Sequence, residues 1–241
     1  MAMIDSSIGG KVAVNYRETI NAIGNYYHPL ANFMDLNLID SLSERDYISG
    51  LAEVIKCAII ADNEFLSYLE KHRKKILQRQ TDFLVHCMRR TIEIKVDHVS
   101  NDVREGGKRL LLNYGHTMGH AIEMATHTDS GETFRHGEGV SLGIVAILSV
   151  AQSYLKISEE IGNKVRRLLN SFNLPIHFSA SKFGFIRNDL INSSMRLMLK
   201  DKKRKANQLR FILVEEIGSA DVHCGIPDQF VLKAFQEVIK E

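Results

Sequence analysis

Ser43-Glu-Arg-Asp-Tyr-Ile-Ser-Gly-Leu-Ala-Glu-Val-Ile-Lys-Cys-Ala-Ile-Ile-Ala61 is where this 241-residue chain changes texture. Ser43 followed by Asp46 has the form of a capping box and opens a helix. Beyond Gly50 the segment is apolar on every side except at Glu53 and Lys56. A helix apolar all round belongs in a core. A carboxylate and an ammonium inside it each cost roughly several kcal/mol unless paired or metal-bound. Two readings meet that requirement. The residues form an i, i+3 ion pair, or Glu53 is a metal ligand while Lys56 faces a pocket.

Downstream the helical texture continues. Residues 64–79 read as a charged surface helix and 81–101 as a longer one. In the second, Met88, Ile92, Lys95 and Val99 share a narrow arc, which puts Lys95 inside an apolar stripe. There it either snorkels to water or reaches an anionic site. A charged turn over 101–109, broken by Gly106 and Gly107, delivers Glu105 and Arg109 just before Leu110-Leu-Leu-Asn113-Tyr-Gly-His116-Thr-Met-Gly-His120-Ala-Ile-Glu123. If this stretch is helical from about Gly115, His116 and His120 lie one turn apart on one face. His136 follows in Arg135-His-Gly-Glu138, which reads as a loop entering an apolar helix over 140–155. Three histidines so placed, with Glu53 stranded upstream, point to a metal or acid–base site; spacing leaves open which of them ligate. An amphipathic helix over 158–172, a basic cluster over 200–205, a strand from Arg210 and a terminal helix over 228–240 complete the chain. The basic cluster is either a solvated turn or a phosphate grip.

Upstream, 12–15 and 21–27 read as extended pieces and 31–39 as a third, after a polar turn holding Gly9 and Gly10. Three short strands make a poor domain alone. Residues 1–42 are therefore expected to be residual strands of a truncated α/β domain, and 43–241 a helical domain. The expected fold class is mainly α.

Composition narrows the function. With 31 basic against 29 acidic residues, bulk charge gives no support to nucleic-acid binding. The three cysteines form no CxxC, which argues against a disulfide framework or a structural zinc cluster and fits a reducing cytoplasm. The most apolar run, 140–151, is too short to span a bilayer. The first residues lack the basic–apolar–small pattern of a secretory leader.

Six motifs carry a resemblance. They are Asp5-Ser-Ser-Ile-Gly-Gly-Lys11, Gly50-Leu-Ala-Glu53-Val-Ile-Lys56, Arg104-Glu105-Gly-Gly, Arg109 to Glu123, His136-Gly-Glu138 and Asp201-Lys202-Lys203. In that order and spacing the chain resembles the sugar phosphate cyclases, most closely their dehydroquinate synthase branch. The resemblance covers almost the whole chain. It implies a helical metal-binding domain following a Rossmann-like nucleotide-binding domain, of which only the end would be present here. Glu53, His116 and His136 would bind Zn2+ or Co2+. Asp5, Lys56, Lys95, Arg109, Asn113 and His120 would hold a seven-carbon keto-acid sugar phosphate. Lys11, Asn21 and Lys202 would lie around its phosphate, and Lys11 with Leu38, Ile39, Asp40 and Ser41 would touch NAD. Glu105 and His120, with Lys56, would be the catalytic candidates. The family's reaction oxidises an alcohol with NAD, eliminates phosphate, re-reduces, opens the ring and closes a carbocycle by aldol addition. A homodimer, and a nucleotide-binding domain missing from this chain or supplied by another, are further implications.

The chain departs from the family at Thr19-Ile20-Asn21, where a Gly-Lys-Asn sequence is usual, so a nucleotide-associated lysine is replaced by isoleucine. The stretch from Val12 to Tyr16 is closer to cyclases that make deoxyinosose or valiolone precursors. Those activities, and a non-catalytic metal-binding remnant, are the alternatives.

Overall fold

The computed structural model describes residues 3–16, 19–100, 102–128, 131–202 and 209–241, without the side chains of 15, 19–21 and 200–202. A hairpin of β1 (Lys11–Tyr16) and β2 (Thr19–Tyr26) leads into α1 (Glu44–Ala61), α2 (Asn63–Leu77) and α3 (Thr81–Ser100). Then come α4 (His116–Ala125), α5 (His136–Tyr154), α6 (Glu159–Ser171) and a two-residue strand β3 (Phe178–Ser179). Helix α7 (Arg187–Lys202), a second hairpin of β4 (Arg210–Glu216) and β5 (Ser219–Cys224), α8 (Asp228–Val238) and β6 (Ile239–Lys240) close the chain. The protein is mainly helical, as the sequence predicts.

Helices α1 and α5 form the centre because neither has a polar face to give to water. Residues 49–60 of α1 and 139–151 of α5 are buried, and the two helices pack on each other. Around them, α2 and α3 cover α1; α4, α6 and α8 cover α5; α7 packs on α4 and α8. The start of α1 follows its sequence signal: Ser43 Oγ accepts from the Asp46 amide at 3.1 Å and donates to its carboxylate at 2.7 Å.

Three expectations need correction. Residues 31–39 are not a strand; Leu36–Ser41 form a 3-10 helix. Asp35 starts it by accepting from the Asn37 amide, and the Arg79 guanidinium, reaching in from beyond α2, takes the carbonyls of Ile39 and Leu42 at 2.9 Å each. His136 is not in a loop but is the first residue of α5. Glu138 sets this start: its carboxylate accepts from the Arg135 amide and, through both oxygens, from the Arg45 guanidinium at 2.6 and 2.7 Å. The terminal helix stops at Val238, where the chain becomes β6 and pairs in parallel with β3. The partner strand of β4, β5, has no counterpart in the sequence reading.

Close approach of α4 to α5 rests on glycines. Gly115 and Gly119 face Gly139 and Gly143, and a Cβ on Gly119 would lie 2.6 Å from the Gly139 carbonyl oxygen. Gly115 precedes α4 with φ +77°, a conformation that costs glycine little. The backbones therefore meet with no side chain between them, which brings the first turn of α5 up to the histidine face of α4.

Candidate metal and substrate site

Three elements supply the centre: α1 gives Glu53, α4 gives His116 and His120, and α5 gives His136. The ligating nitrogens of the three histidines all lie within 4.8 Å of one another. Glu53 divides them. Its Oε1 is 3.1 Å from His136 Nε2 and 3.4 Å from His116 Nε2. Donors held about 2.0–2.1 Å from one zinc ion in a tetrahedron lie roughly 3.3–3.4 Å apart, so each of these two distances suits a pair of ligands sharing a divalent ion of that size.

The other ring nitrogens reinforce the division. His116 Nδ1 is 3.1 Å from the Tyr114 carbonyl. A carbonyl only accepts, so Nδ1 carries a proton, which leaves Nε2, on the Glu53 side, as the ring nitrogen that can ligate. His136 Nδ1 is 3.3 Å from Glu123 Oε1. His120 is set differently: its Nε2 lies 3.9 Å from Glu123 Oε2, and its ring meets that of His116 edge-on at 5.3 Å.

Glu53 and Lys56 form the i, i+3 ion pair. While Oε1 faces the histidines, Oε2 lies 2.5 Å from Lys56 Nζ, and both side chains are buried. Burial pushes the Glu53 carboxyl up, but the Lys56 ammonium, then His116 and the hydrogen bonds to both histidines, hold it well below its ordinary range. Burial likewise works to lower Lys56, and Glu53 with Asp5 raises it on balance. His136 keeps 53% of its side chain exposed. What burial it has lowers its pKa, yet hydrogen bonds to Glu123 and Glu53 raise it to about 10.

A second cluster of charge adjoins the first. Lys95 does not snorkel; it is buried and reaches Asp5, whose Oδ1 is 2.5 Å away and whose carbonyl it also contacts. Lys11 Nζ meets Glu105 Oε1 at 2.8 Å, and Asn113 Nδ2 donates to the same oxygen at 2.5 Å. Partial burial lowers the Lys11 pKa, as do Arg109 and Lys95, against the opposite pull of Glu105. Arg109 is fully buried and donates to the carbonyls of Gly9, at 2.6 Å, and Val103, at 2.7 Å. Glu105 has φ +62°, a strained value for a side chain-bearing residue. Asp102 holds that turn: its carboxylate accepts from the amides of Gly106, Gly107 and Arg109 at 2.8, 2.7 and 3.0 Å.

Leu38, Ile39, Asp40 and Ser41 lie in the 3-10 helix clamped by Arg79, with Ile39 in the core and the others exposed. The side chains of Asn21 and Lys202, and Lys203 entirely, lie outside the described residues. Asp102, Glu123 and Glu138 were given no role from the sequence. Glu123 had a signal there, since it follows His116 and His120 at i+7 and i+3 on one helical face.

Beside Lys56, the buried His98 donates from Nδ1 to the Ile94 carbonyl at 2.8 Å. Burial, with Lys108 and Lys56, lowers its pKa below 6.5 against the pull of Ile94 and Asp97. The unfolded chain therefore takes up a proton here that the folded chain refuses, and stability is lost as pH falls from about 6.5 toward the folded value. Melting curves between pH 7.5 and 5.5 are expected to drop more steeply for the unmodified chain than for His98→Leu. Parallel curves would place the pH dependence elsewhere.

A helical domain that turns one carboxylate and two imidazoles onto a common point, beside a patch of buried cations, presents groups of the kind that hold a divalent ion and an anion. Comparison with known proteins identifies the family. Residues 50–204 match the family model "3-dehydroquinate synthase C-terminal" and residues 1–49 "3-dehydroquinate synthase N-terminal". The chain belongs to the 3-dehydroquinate synthase family. It is 36% identical over 237 residues to the 3-dehydroquinate synthase of Thermodesulfovibrio yellowstonii and 38% identical over 240 residues to that of Acidithiobacillus ferrooxidans. In both cases 98% of this chain is covered, and it spans 63% of the relative's length. Among solved structures, it is similar to 2-epi-5-epi-valiolone synthase from Streptomyces hygroscopicus with NAD+ and Zn2+ bound (TM-score 0.83, 24% identity, 97% of this chain and 62% of that one). It is also similar to 2-deoxy-scyllo-inosose synthase complexed with carbaglucose-6-phosphate, NAD+ and Co2+ (TM-score 0.77, 23% identity, 98% and 64%). Identities this low establish the shared fold. Among the described residues no helix is long and apolar enough to cross a membrane.

Proposed function

We propose that this chain is the metal- and substrate-binding part of a 3-dehydroquinate synthase, which converts 3-deoxy-arabino-heptulosonate 7-phosphate to 3-dehydroquinate with loss of phosphate. On this reading 43–241 is the metal- and substrate-binding domain, and 1–42 belongs with a nucleotide-binding domain in the same or another chain. The enzyme is a cytoplasmic homodimer. The observation that carries the proposal is the convergence of His116 Nε2 and His136 Nε2 on Glu53 Oε1, with each Nδ1 turned onto an oxygen.

Glu53, His116 and His136 hold a zinc or cobalt ion. When bound, the ion supplies Lewis acidity toward a substrate hydroxyl and NAD a transient hydride acceptor. Lys56, Lys95 and Arg109, balanced in the substrate-free state by Glu53, Asp5 and backbone carbonyls, offer the charge that orients a keto acid's carboxylate. Asp5 and Asn113 give it further hydrogen bonds. Lys11, with Asn21 and Lys202, takes the phosphate. Glu105, whose Oε1 is held by Lys11 and Asn113, is placed to receive a proton, and His120 to return one. Leu38, Ile39, Asp40 and Ser41, with Lys11, contribute to NAD binding. Identities of 36% and 38% to dehydroquinate synthases favour this substrate over those of the deoxyinosose and valiolone branches.

Zinc titration of the chain tests the ligand set. His116→Ala is expected to weaken zinc binding more than about 100-fold, beyond what outer-shell groups are worth, while His120→Ala keeps near-wild-type affinity. Equal losses in both variants would make all three histidines ligands and remove His120 from proton transfer. Calorimetry of the zinc-loaded chain with heptulosonate phosphate, glucose 6-phosphate and sedoheptulose 7-phosphate tests the substrate. Preference for either of the last two would overturn the branch assignment, and binding of none would favour a non-catalytic remnant.

A further inference from the structure

Glu123 is given no role in the proposed reaction, yet its carboxylate touches two of the three histidines. It lies on the same face of α4 as His116 and His120. Oε1 is 3.3 Å from His136 Nδ1 and Oε2 is 3.9 Å from His120 Nε2. The His136 ring is thereby held between two carboxylates from different helices, Glu123 at Nδ1 and Glu53 at Nε2.

The ring has need of such a hold. His136 opens α5 and leaves half of its side chain exposed, so packing alone does little to fix its rotation. Space for the carboxylate is built into α5. A Cβ on Gly139, one turn along, would lie 2.5 Å from Glu123 Cγ, 2.6 Å from Cδ and 2.8 Å from Oε1. His116 obtains the same hold from the Tyr114 carbonyl. An acceptor at Nδ1 sets the tautomer and leaves the Nε2 lone pair for a metal, and outer-shell carboxylates of this kind raise ligand basicity.

We propose that Glu123 is the positioning residue for His136, holding its ring and tautomer for metal binding and aligning His120 with its second oxygen. This rests on the ligand set proposed above.

The test uses the full chain, with zinc affinity from chelator competition and the visible absorption bands of bound Co2+ as a signature of ligand geometry. Glu123→Ala is expected to bind zinc about 10–100-fold more weakly and to shift the cobalt bands, with the metal-free melting temperature little changed. Glu123→Gln, whose amide oxygen still accepts from Nδ1, is expected to recover part of that affinity and the wild-type cobalt bands. His116→Ala serves as the control. If it loses the metal while both Glu123 variants bind zinc and cobalt as the unmodified chain does, the positioning role is overturned and the ligand set stands. If His116→Ala itself binds as tightly as the unmodified chain, the ligand set fails, and this role with it. Should Glu123→Ala fail to fold, Glu123→Gln decides: wild-type affinity in a variant whose cobalt bands have shifted also counts against the proposal.

Discussion

Gly143→Ala is expected to destabilise the chain by about 3 kcal/mol, the upper end of the range for overpacked sites. For a chain of this length that corresponds to a fall in Tm of roughly 6–12 °C. The sign is the informative part. Alanine is the better helix former by about 1 kcal/mol, so in a helix with room to spare the change would stabilise. Here the new Cβ would overlap the Gly115 carbonyl oxygen and lie 2.7 Å from the Gly119 amide nitrogen. Both are backbone atoms, and Gly115 is already committed to φ +77°, so neither can turn aside as a side chain would. Relief requires α4 to move off α5. That motion parts His116 from His136, and zinc affinity is expected to fall along with Tm. Urea unfolding with and without zinc measures both. An unchanged or higher Tm would mean that α4 and α5 do not approach at these glycines.

The same contact marks the limit of what the sequence revealed. Elements whose burial follows from their own composition were legible: α1 and α5 are apolar all round, and both lie at the centre. The Ser43 cap and the strands β1 and β2 were legible because their signals are local; the pairing of those strands into a hairpin was not. Sequence alone leaves Lys95 open to solvent or an anionic site, because the deciding group, Asp5, lies 90 positions away in the chain. Residues 31–39 resemble a strand in sequence because Leu36 and Leu38 alternate with polar residues. The local signal that opposes it, Asp35 as a cap, is weak without the distant Arg79 that completes the turn. The site was legible as a set of residue types, to which the resemblance adds expected roles. Its geometry was not, since the division between His116 and His120 depends on where Glu53 and Glu123 lie in space. The spacing Gly115-x-x-x-Gly119 and Gly139-x-x-x-Gly143 was in plain view, and it becomes meaningful only once the two helices are known to cross there.

Lys56→Met is expected to destabilise the metal-free chain and at the same time to tighten zinc binding. Removing one partner of a buried ion pair costs about 3–5 kcal/mol because the remaining charge is stranded. The lower end applies here, since His136, half exposed, offers Glu53 a second cation. Glu53 also links the pair to pH. Its folded-state pKa is depressed below the ordinary 4.5 despite burial, chiefly by Lys56. The stability it contributes is present above 4.5 and lost as pH falls through the folded value, and without Lys56 that loss begins at higher pH. Zinc reverses the balance. On the proposed ligand set, a dication at Glu53 Oε1 would repel the ammonium held 2.5 Å from Oε2 and take over its task of neutralising the carboxylate. Affinity for zinc is therefore expected to rise at least about tenfold in Lys56→Met, worth roughly 1.4 kcal/mol of extra stabilisation at saturating metal. Paired urea titrations, metal-free and zinc-saturated, read out both effects. The gap between variant and parent should narrow when zinc is added. A gap that widens instead would show that Lys56 supports the metal through Glu53 rather than competing with it, and Lys56 would then belong among the groups that build the centre.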